Sequence, residues 1–209
     1  MLGWTDVFCP AMLRRLYRET RSLRKMKRQF LRSDHGKRPT VFFDRDGGLN
    51  VDHGYASRPD QFEWITGAPE AVRLLNEAGY LVFVVTNQSG IARGYYDVAT
   101  MHQFHALMQD ALRTQGAHID AFYYCPHHPE GTIKRLTVRC RCRKPEPGML
   151  EQAAREWPID LGRSFLIGDK DADMVAAAAF HIRGIMFDSK INSLVEIVSR
   201  ELAVNSTRN

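Results

Sequence analysis

Asp44 and Asp46 stand one residue apart directly after an apolar run, in "TVFFDRDGGLN". Two carboxylates so spaced leave a strand end pointing into one loop, where Gly47 and Gly48 let the backbone turn sharply. Alone, the pattern is equally that of a plain turn, since Asp and Gly are common turn residues. Two further stretches narrow the choice. "VVTNQSGIARG" offers Thr86, Asn87, Gln88, Ser89 and Gly90, a run of hydroxyl, amide and backbone donors suited to phosphate oxygens. "FLIGDKDADM" places Asp169 and Asp173 one helical turn apart. Acidic groups from two such places could hold a hard cation such as Mg²⁺, which takes a few carboxylate oxygens and keeps waters. Lys144 would supply the point charge a phosphoryl group needs. A fourth stretch, residues 123–148, holds three of the four cysteines with two histidines, a clustering that points to a metal rather than to disulfides.

These residues need a scaffold that brings them to one edge. Short Val-, Ile- and aromatic-rich runs occur at 40–43, 80–85, 119–124, 164–167 and 184–187. Between them lie amphipathic stretches of helical length at 68–79, 98–116, 148–157 and 171–180. This alternation predicts βαβ units around a parallel sheet, an α/β three-layer Rossmann-like fold. In such sheets ligands gather where strands end and loops begin. In the second helix Met101, Phe104, His105, Met108, Ala111 and Leu112 share a face, so His102 and His105 are read as surface or packing residues rather than ligands.

Charge divides the chain. Residues 1–38 carry eleven Lys/Arg against three Asp/Glu, and the remainder carries eighteen against twenty-one. The basicity thus belongs to an N-terminal extension, 1–38, in which Leu13, Leu16, Tyr17, Leu23, Met26 and Phe30 recur at helical spacing. Residues 39–209 are expected to form the catalytic domain. No apolar run reaches the ~20 residues of a membrane span, and the N-terminus is too arginine-rich for a secretory signal. A cytoplasmic monomer is expected.

"DRDG", "TNQ", "RKP" and "GDKDAD", in that order over residues 44–173, resemble the four motifs of the haloacid dehalogenase-like phosphatases. More narrowly, "DRDGGLNVDHGY", "TNQSGIARG", "CPHHPEG", "CRCRKPEPGM" and "GDKDADM" resemble the bacterial D-glycero-D-manno-heptose 1,7-bisphosphate 7-phosphatases, over about residues 40–188. The resemblance implies a hydrolase of heptose biosynthesis in which Asp44 attacks phosphorus and Asp46 carries the proton. It implies Mg²⁺ held by Asp44, Asp169 and the backbone carbonyl of Asp46, with Asp173 supporting it through water or Lys170. Thr86, Asn87 and Lys144 would bind the phosphoryl oxygens, beside Gln88 and Ser89. Asp52, His53, Gly54 and Tyr55 would contact the sugar, and Arg143 would anchor sugar or phosphate. Gly48 departs from the pattern, which usually carries a side chain there, and predicts a looser catalytic loop.

Cys125-x-His127 and Cys140-x-Cys142 supply four soft or borderline ligands, a closed tetrahedral set for structural Zn²⁺, with His128 as the competing ligand. Such a loop would deliver Arg143 and Lys144. The twelve residues between His127 and Cys140 include Lys134, Arg135 and Arg139, which suits a substrate with a second phosphate better than histidinol phosphate. A phosphoacceptor signalling module would use a similar Asp, Thr and Lys but needs neither Asp46 nor the cysteines. A basic zinc-binding nucleic-acid module leaves Asp44, Asp46 and Asp169 unexplained, so a small sugar phosphate rather than nucleic acid is the expected partner.

Overall fold

The computed structural model describes residues 36–206, so the helix and nearly all of the basic segment read at 1–38 lie outside the described residues. Five strands, β1 (Thr40–Phe43), β2 (Leu81–Asn87), β3 (Ala121–Cys125), β4 (Phe165–Gly168) and β5 (Arg183–Met186), form one sheet in the order β3-β2-β1-β4-β5. Every pairing is parallel.

The three layers follow from strand alternation. Val41, Phe43, Val82, Val84, Phe165 and Ile167 face helices α1 (Ala68–Glu77), α3 (Val98–Arg113) and α6 (Leu194–Ser206), through Leu75, Phe104, Met108 and Val198, while the short α2 (Ser89–Ala92) follows β2. The intervening Phe42, Leu81, Phe83, Val85 and Leu166 face α4 (Gly148–Glu156) and α5 (Asp171–Ala179), through Met149, Leu150 and Ala177. Strands buried on both faces read as continuous apolar runs, as "VFF" and "LVFVV" do. Each fully buried Phe or Val contributes roughly 1.5–3 kcal/mol.

Helix ends show the same local logic. Asp97 caps α3 by accepting from the Thr100 amide at 2.7 Å. Pro69 lies in the first turn of α1, where its missing N–H costs nothing. The predicted elements at 68–79, 98–116, 148–157 and 171–180 are helices ending one to three residues earlier. Helix α6 has no clear signature in the sequence, because its buried face includes Glu201 and Asn205, which interrupt the apolar period. Ala111 is only half-buried, while His105 sits in the core at 4% exposure and His102 faces solvent. Among the described residues no helix is long and apolar enough to cross a membrane.

The chain order reverses at β1, which pairs with β2 on one side and β4 on the other. A crevice opens there beyond the carboxyl ends of the strands. The Asp44 amide bonds Ile167 O at 2.9 Å, so the first residue after β1 is still locked to β4.

Candidate active site

Asp44 lies at the floor of that crevice, 5% exposed. Its Oδ1 accepts from the Arg45 amide at 2.8 Å and lies 2.9 Å from Lys144 Nζ. Lys144 is itself buried, and its Nζ also meets Asp173 Oδ1 at 2.5 Å and Val85 O at 2.7 Å. Burial pushes the Asp44 carboxyl up to about 6, with Asp173 and Asp46 adding and Lys144 opposing. Against burial, the Asp44 and Asp173 carboxylates hold Lys144 above its ordinary value. Lys144 is therefore a fixed cation beside Asp44, a placement a surface lysine could not keep.

The turn that follows is tight. Leu49 N and Asn50 N both bond Arg45 O at 3.0 Å, and Gly47 N bonds Asn50 O at 2.8 Å. Gly47 has φ +91°, and a Cβ there would come within 2.3 Å of Asp169 Oδ2. At Gly48 a Cβ would lie 2.3 Å from the Asp44 carbonyl oxygen. The glycine lets the turn close onto the backbone of Asp44.

The carboxylates of Asp44, Asp169 and Asp173 converge, with oxygens within 4.8 Å of one another. Asp169 Oδ1 is buried without a hydrogen-bond partner, and burial raises the Asp169 carboxyl above its ordinary range. Crowded carboxylates with an orphaned oxygen fit a hard divalent cation. Asp173, expected to act from a distance, stands in this group directly. The Asp46 side chain does not join it.

Instead Asp46 accepts from Arg45 Nε at 3.0 Å and Nη2 at 2.8 Å, from Asn50 Nδ2 at 2.9 Å and from Gln88 Nε2 at 3.2 Å. Gln88 also donates to Thr86 Oγ1 at 2.8 Å and accepts from Tyr96 OH at 2.6 Å. Sequence reasoning passed over Arg45, Asn50 and Tyr96. An arginine between two aspartates reads as a solvated charge, and only the strand alternation, which sends it to the opposite side from Asp44 and Asp46, hints otherwise.

A cavity of about 260 Å³ joins these groups. Asp44, Asp46, Asp52, Gly54, Tyr55, Thr86, Asn87, Gln88, Ser89, Arg143, Lys144 and Lys170 all line it. Asn87 has a second engagement: its Nδ2 donates to Lys144 O and its Oδ1 accepts from Lys144 N, both at 3.0 Å. It thereby clamps the lysine backbone, a different use from the expected phosphoryl contact. Lys170 Nζ reaches Asp52 Oδ2 at 3.2 Å and ties the 52–55 loop to the end of β4. Although burial acts against it, the Gly54 amide and Lys170 draw the Asp52 carboxyl below its usual range. Tyr55, at φ +57°, meets Tyr95 edge-on at 4.8 Å. His53 is not brought in: its Nε2 pairs with exposed Glu63 at 3.1 Å, outside the cavity lining.

The loop from the end of β3 to α4 carries the sulfur cluster. Its Sγ atoms lie 3.4 Å (Cys125 to Cys140), 3.2 Å (Cys125 to Cys142) and 3.2 Å (Cys140 to Cys142) apart. His127 Nδ1 lies 3.7 Å from Cys125 Sγ and 3.3 Å from Cys142 Sγ. These separations are far beyond the ~2.05 Å of a disulfide and near the edge of about 3.8 Å of a tetrahedron with 2.3 Å Zn–S bonds. His128 is elsewhere: its Nδ1 accepts from the Glu130 amide at 3.1 Å, and Arg93 lies beside it. Arg143 Nη1 donates to His127 O at 3.3 Å, so the residue after the last cysteine is tied to the cluster.

A HAD-hydrolase-like family model matches residues 141–200. The D-glycero-beta-D-manno-heptose-1,7-bisphosphate 7-phosphatase of Rhodopseudomonas palustris is 46% identical over 154 residues, 74% of this chain and 86% of that protein. The protein of the same name from Photorhabdus laumondii is 50% identical over 139 residues, 66% of this chain and 74% of that one. The structure of D,D-heptose 1,7-bisphosphate phosphatase from B. bronchiseptica, complexed with magnesium and phosphate, superposes with a TM-score of 0.66 at 29% identity, covering 79% of this chain and 99% of that one. Carboxylates gathered at the β1 switch point and relatives at this level of identity lead to one assignment: the chain belongs to the haloacid dehalogenase-like heptose-1,7-bisphosphate 7-phosphatase family.

Proposed function

We propose that this protein removes the 7-phosphate of D-glycero-D-manno-heptose 1,7-bisphosphate through an aspartyl-phosphate on Asp44. The observation that carries the reading is the buried triad of Asp44, Lys144 and Asp173 beside an independently held Asp46. The Arg45 amide and Lys144 both engage Oδ1 of the Asp44 carboxylate, which leaves Oδ2 as the oxygen to attack phosphorus. The bond from phosphorus to the sugar oxygen breaks as Asp46 gives that oxygen its proton. In the second half Asp46 takes a proton from water, the water oxygen bonds phosphorus, and the Asp44–phosphorus bond breaks. Lys144 and the Thr86 hydroxyl bind equatorial oxygens throughout. Asp44, Asp169 and the Asp46 carbonyl, with Asp173 adjoining, would hold Mg²⁺, which when bound would offset the repulsion between an anionic nucleophile and an anionic substrate.

Zn²⁺ on Cys125, His127, Cys140 and Cys142 is proposed as structural, its four protein ligands leaving no open position. Its role is to hold Arg143 and Lys144 in place. Residues 39–209 would be the phosphatase unit and 1–38 a separate extension, on the strength of the charge contrast between them. The enzyme would work in the cytoplasm as a monomer. Phosphate release over a panel of sugar phosphates, with both heptose bisphosphate anomers and histidinol phosphate, tests the substrate. The expected result is a preference for the β-heptose bisphosphate with ³¹P NMR showing the 1-phosphate retained; a preference for histidinol phosphate would overturn it.

A further inference from the structure

The guanidinium of Arg45 is the largest fully buried side chain of the protein's described residues, at 0% exposure. Burying a cation costs several kcal/mol unless it is well paired, and apolar residues of similar volume often serve stability as well or better. Stability is therefore a weak reason for an arginine here, and its partners supply another. Its Nε and Nη2 grip the two oxygens of Asp46 as a fork, at 3.0 and 2.8 Å. Nη2 also donates to Ala56 O at 2.7 Å. Nη1 lies 3.5 Å from His105 Nε2, and the guanidinium carbon stands 4.7 Å over the Phe104 ring.

The surroundings of Arg45 are equally fixed. His105 stacks on Phe122 at 4.4 Å and 15°. Burial, then Arg45, then His102 hold its imidazole down to about 3, so it stays neutral and Nε2 is free to accept. Phe104 and His105 belong to α3, whose apolar face is part of the core. A chain of contacts thus runs from the core through α3 and Arg45 to the Asp46 carboxylate.

Resting on the reading of Asp46 as proton carrier, we infer that Arg45 is the positioning residue that orients the Asp46 carboxylate. It touches neither substrate nor the reacting phosphorus; it acts through Asp46. A bidentate fork fixes the plane of a carboxylate as well as its distance, which a lysine cannot do. A misplaced proton carrier slows departure of a sugar alkoxide and leaves nearly untouched the departure of p-nitrophenolate, which needs no proton.

The test compares kcat/KM, which reports steps up to leaving-group departure, for the heptose bisphosphate and for p-nitrophenyl phosphate. Arg45→Met is expected to lower the first by about 10- to 100-fold and the second by less than about threefold. Asp46→Asn should show the same selectivity more strongly, and the double variant should be no worse than Asp46→Asn alone. Where Arg45→Met does not fold, Arg45→Lys, which keeps charge and stem, is expected to show the same selectivity in milder form. Equal losses on both substrates, or losses that add in the double variant, would overturn the inference. If Asp46→Asn itself slowed both substrates equally, the proton-carrier reading would be what failed. If Asp46→Asn were selective and the Arg45 variants were not, only the role of Arg45 would fall.

Discussion

The floor of the crevice and the cysteine loop are held together by different physics. At the floor, Asp44 follows a strand whose residues are fully buried, and Arg45, Lys144 and Asp173 are buried beside the carboxyl edge of the packed sheet. The stretch from His127 to Cys142 contains one three-residue turn of 3-10 helix, Lys134–Leu136, and no fully buried apolar side chain. Four side-chain donors, three of them sulfur, gather at its ends instead. Packing can place a group and hold it for free; a loop without a core needs a cross-link. The two regions meet at Lys144, delivered by the loop and clamped by Asn87 from the strand side.

Substitutions at the floor should have the largest effects. Asp44→Asn removes the proposed nucleophile and is expected to abolish turnover; a variant within tenfold of the parent kcat would sink the covalent mechanism. Chelation with EDTA should likewise stop phosphate release, with Mg²⁺ restoring it. Full activity in buffer shown by elemental analysis to be free of divalent ions would contradict the carboxylate site.

The loop should fail more gently. Cys140→Ser is expected to lose a zinc content of about one per chain and to reduce kcat/KM by roughly 10- to 100-fold, with little change in Mg²⁺ affinity. His127→Ala should behave alike, whereas His128→Ala should keep its zinc. A zinc-free Cys140→Ser protein with unaltered kcat and KM would separate the loop from the placement of Lys144.

The smallest effect is expected beneath the floor, at His105, packed against Arg45, His102 and Phe122. Its imidazole is held down to about 3 in the folded protein, while an unfolded chain's histidine titrates near 6.5. Between those values the unfolded state binds the extra proton, so this contribution is present above about pH 6.5 and is lost progressively as pH falls. From pH 7 to pH 5 the loss is about 2 kcal/mol. Urea unfolding of wild type and His105→Gln at the two pH values should show that loss in wild type only. Parallel behaviour of the two proteins would mean that His105 is free to protonate when folded.

Legibility in the sequence followed the same division. Strands buried on both faces announce themselves as apolar runs, so the sheet and the residues at its carboxyl edge, Asp44, Thr86 and Asp169, could be placed directly. The cysteine spacing was equally plain because sulfur ligands come in pairs. What stayed hidden were groups whose role depends on direction. Asn87 and Arg45 are ordinary polar residues until the fold shows that one bonds the Lys144 backbone and the other the Asp46 carboxylate. His53, adjacent in sequence to Asp52, turns instead to Glu63. Helix α6 escaped because Glu201 and Asn205 are buried on its inner face, Asn205 donating to Tyr80 OH at 2.9 Å.

The covalent step itself can be observed. Borohydride reduces an acyl phosphate to an alcohol, so quenching the working enzyme into borohydride converts a phosphorylated aspartate to homoserine. Peptide mass spectrometry should then find homoserine at position 44, only after incubation with heptose bisphosphate and Mg²⁺, and not in Asp44→Asn. Phosphate release at full rate with Asp44 recovered unmodified under steady-state quench, or homoserine at Asp46 or Asp169 instead, would contradict the account.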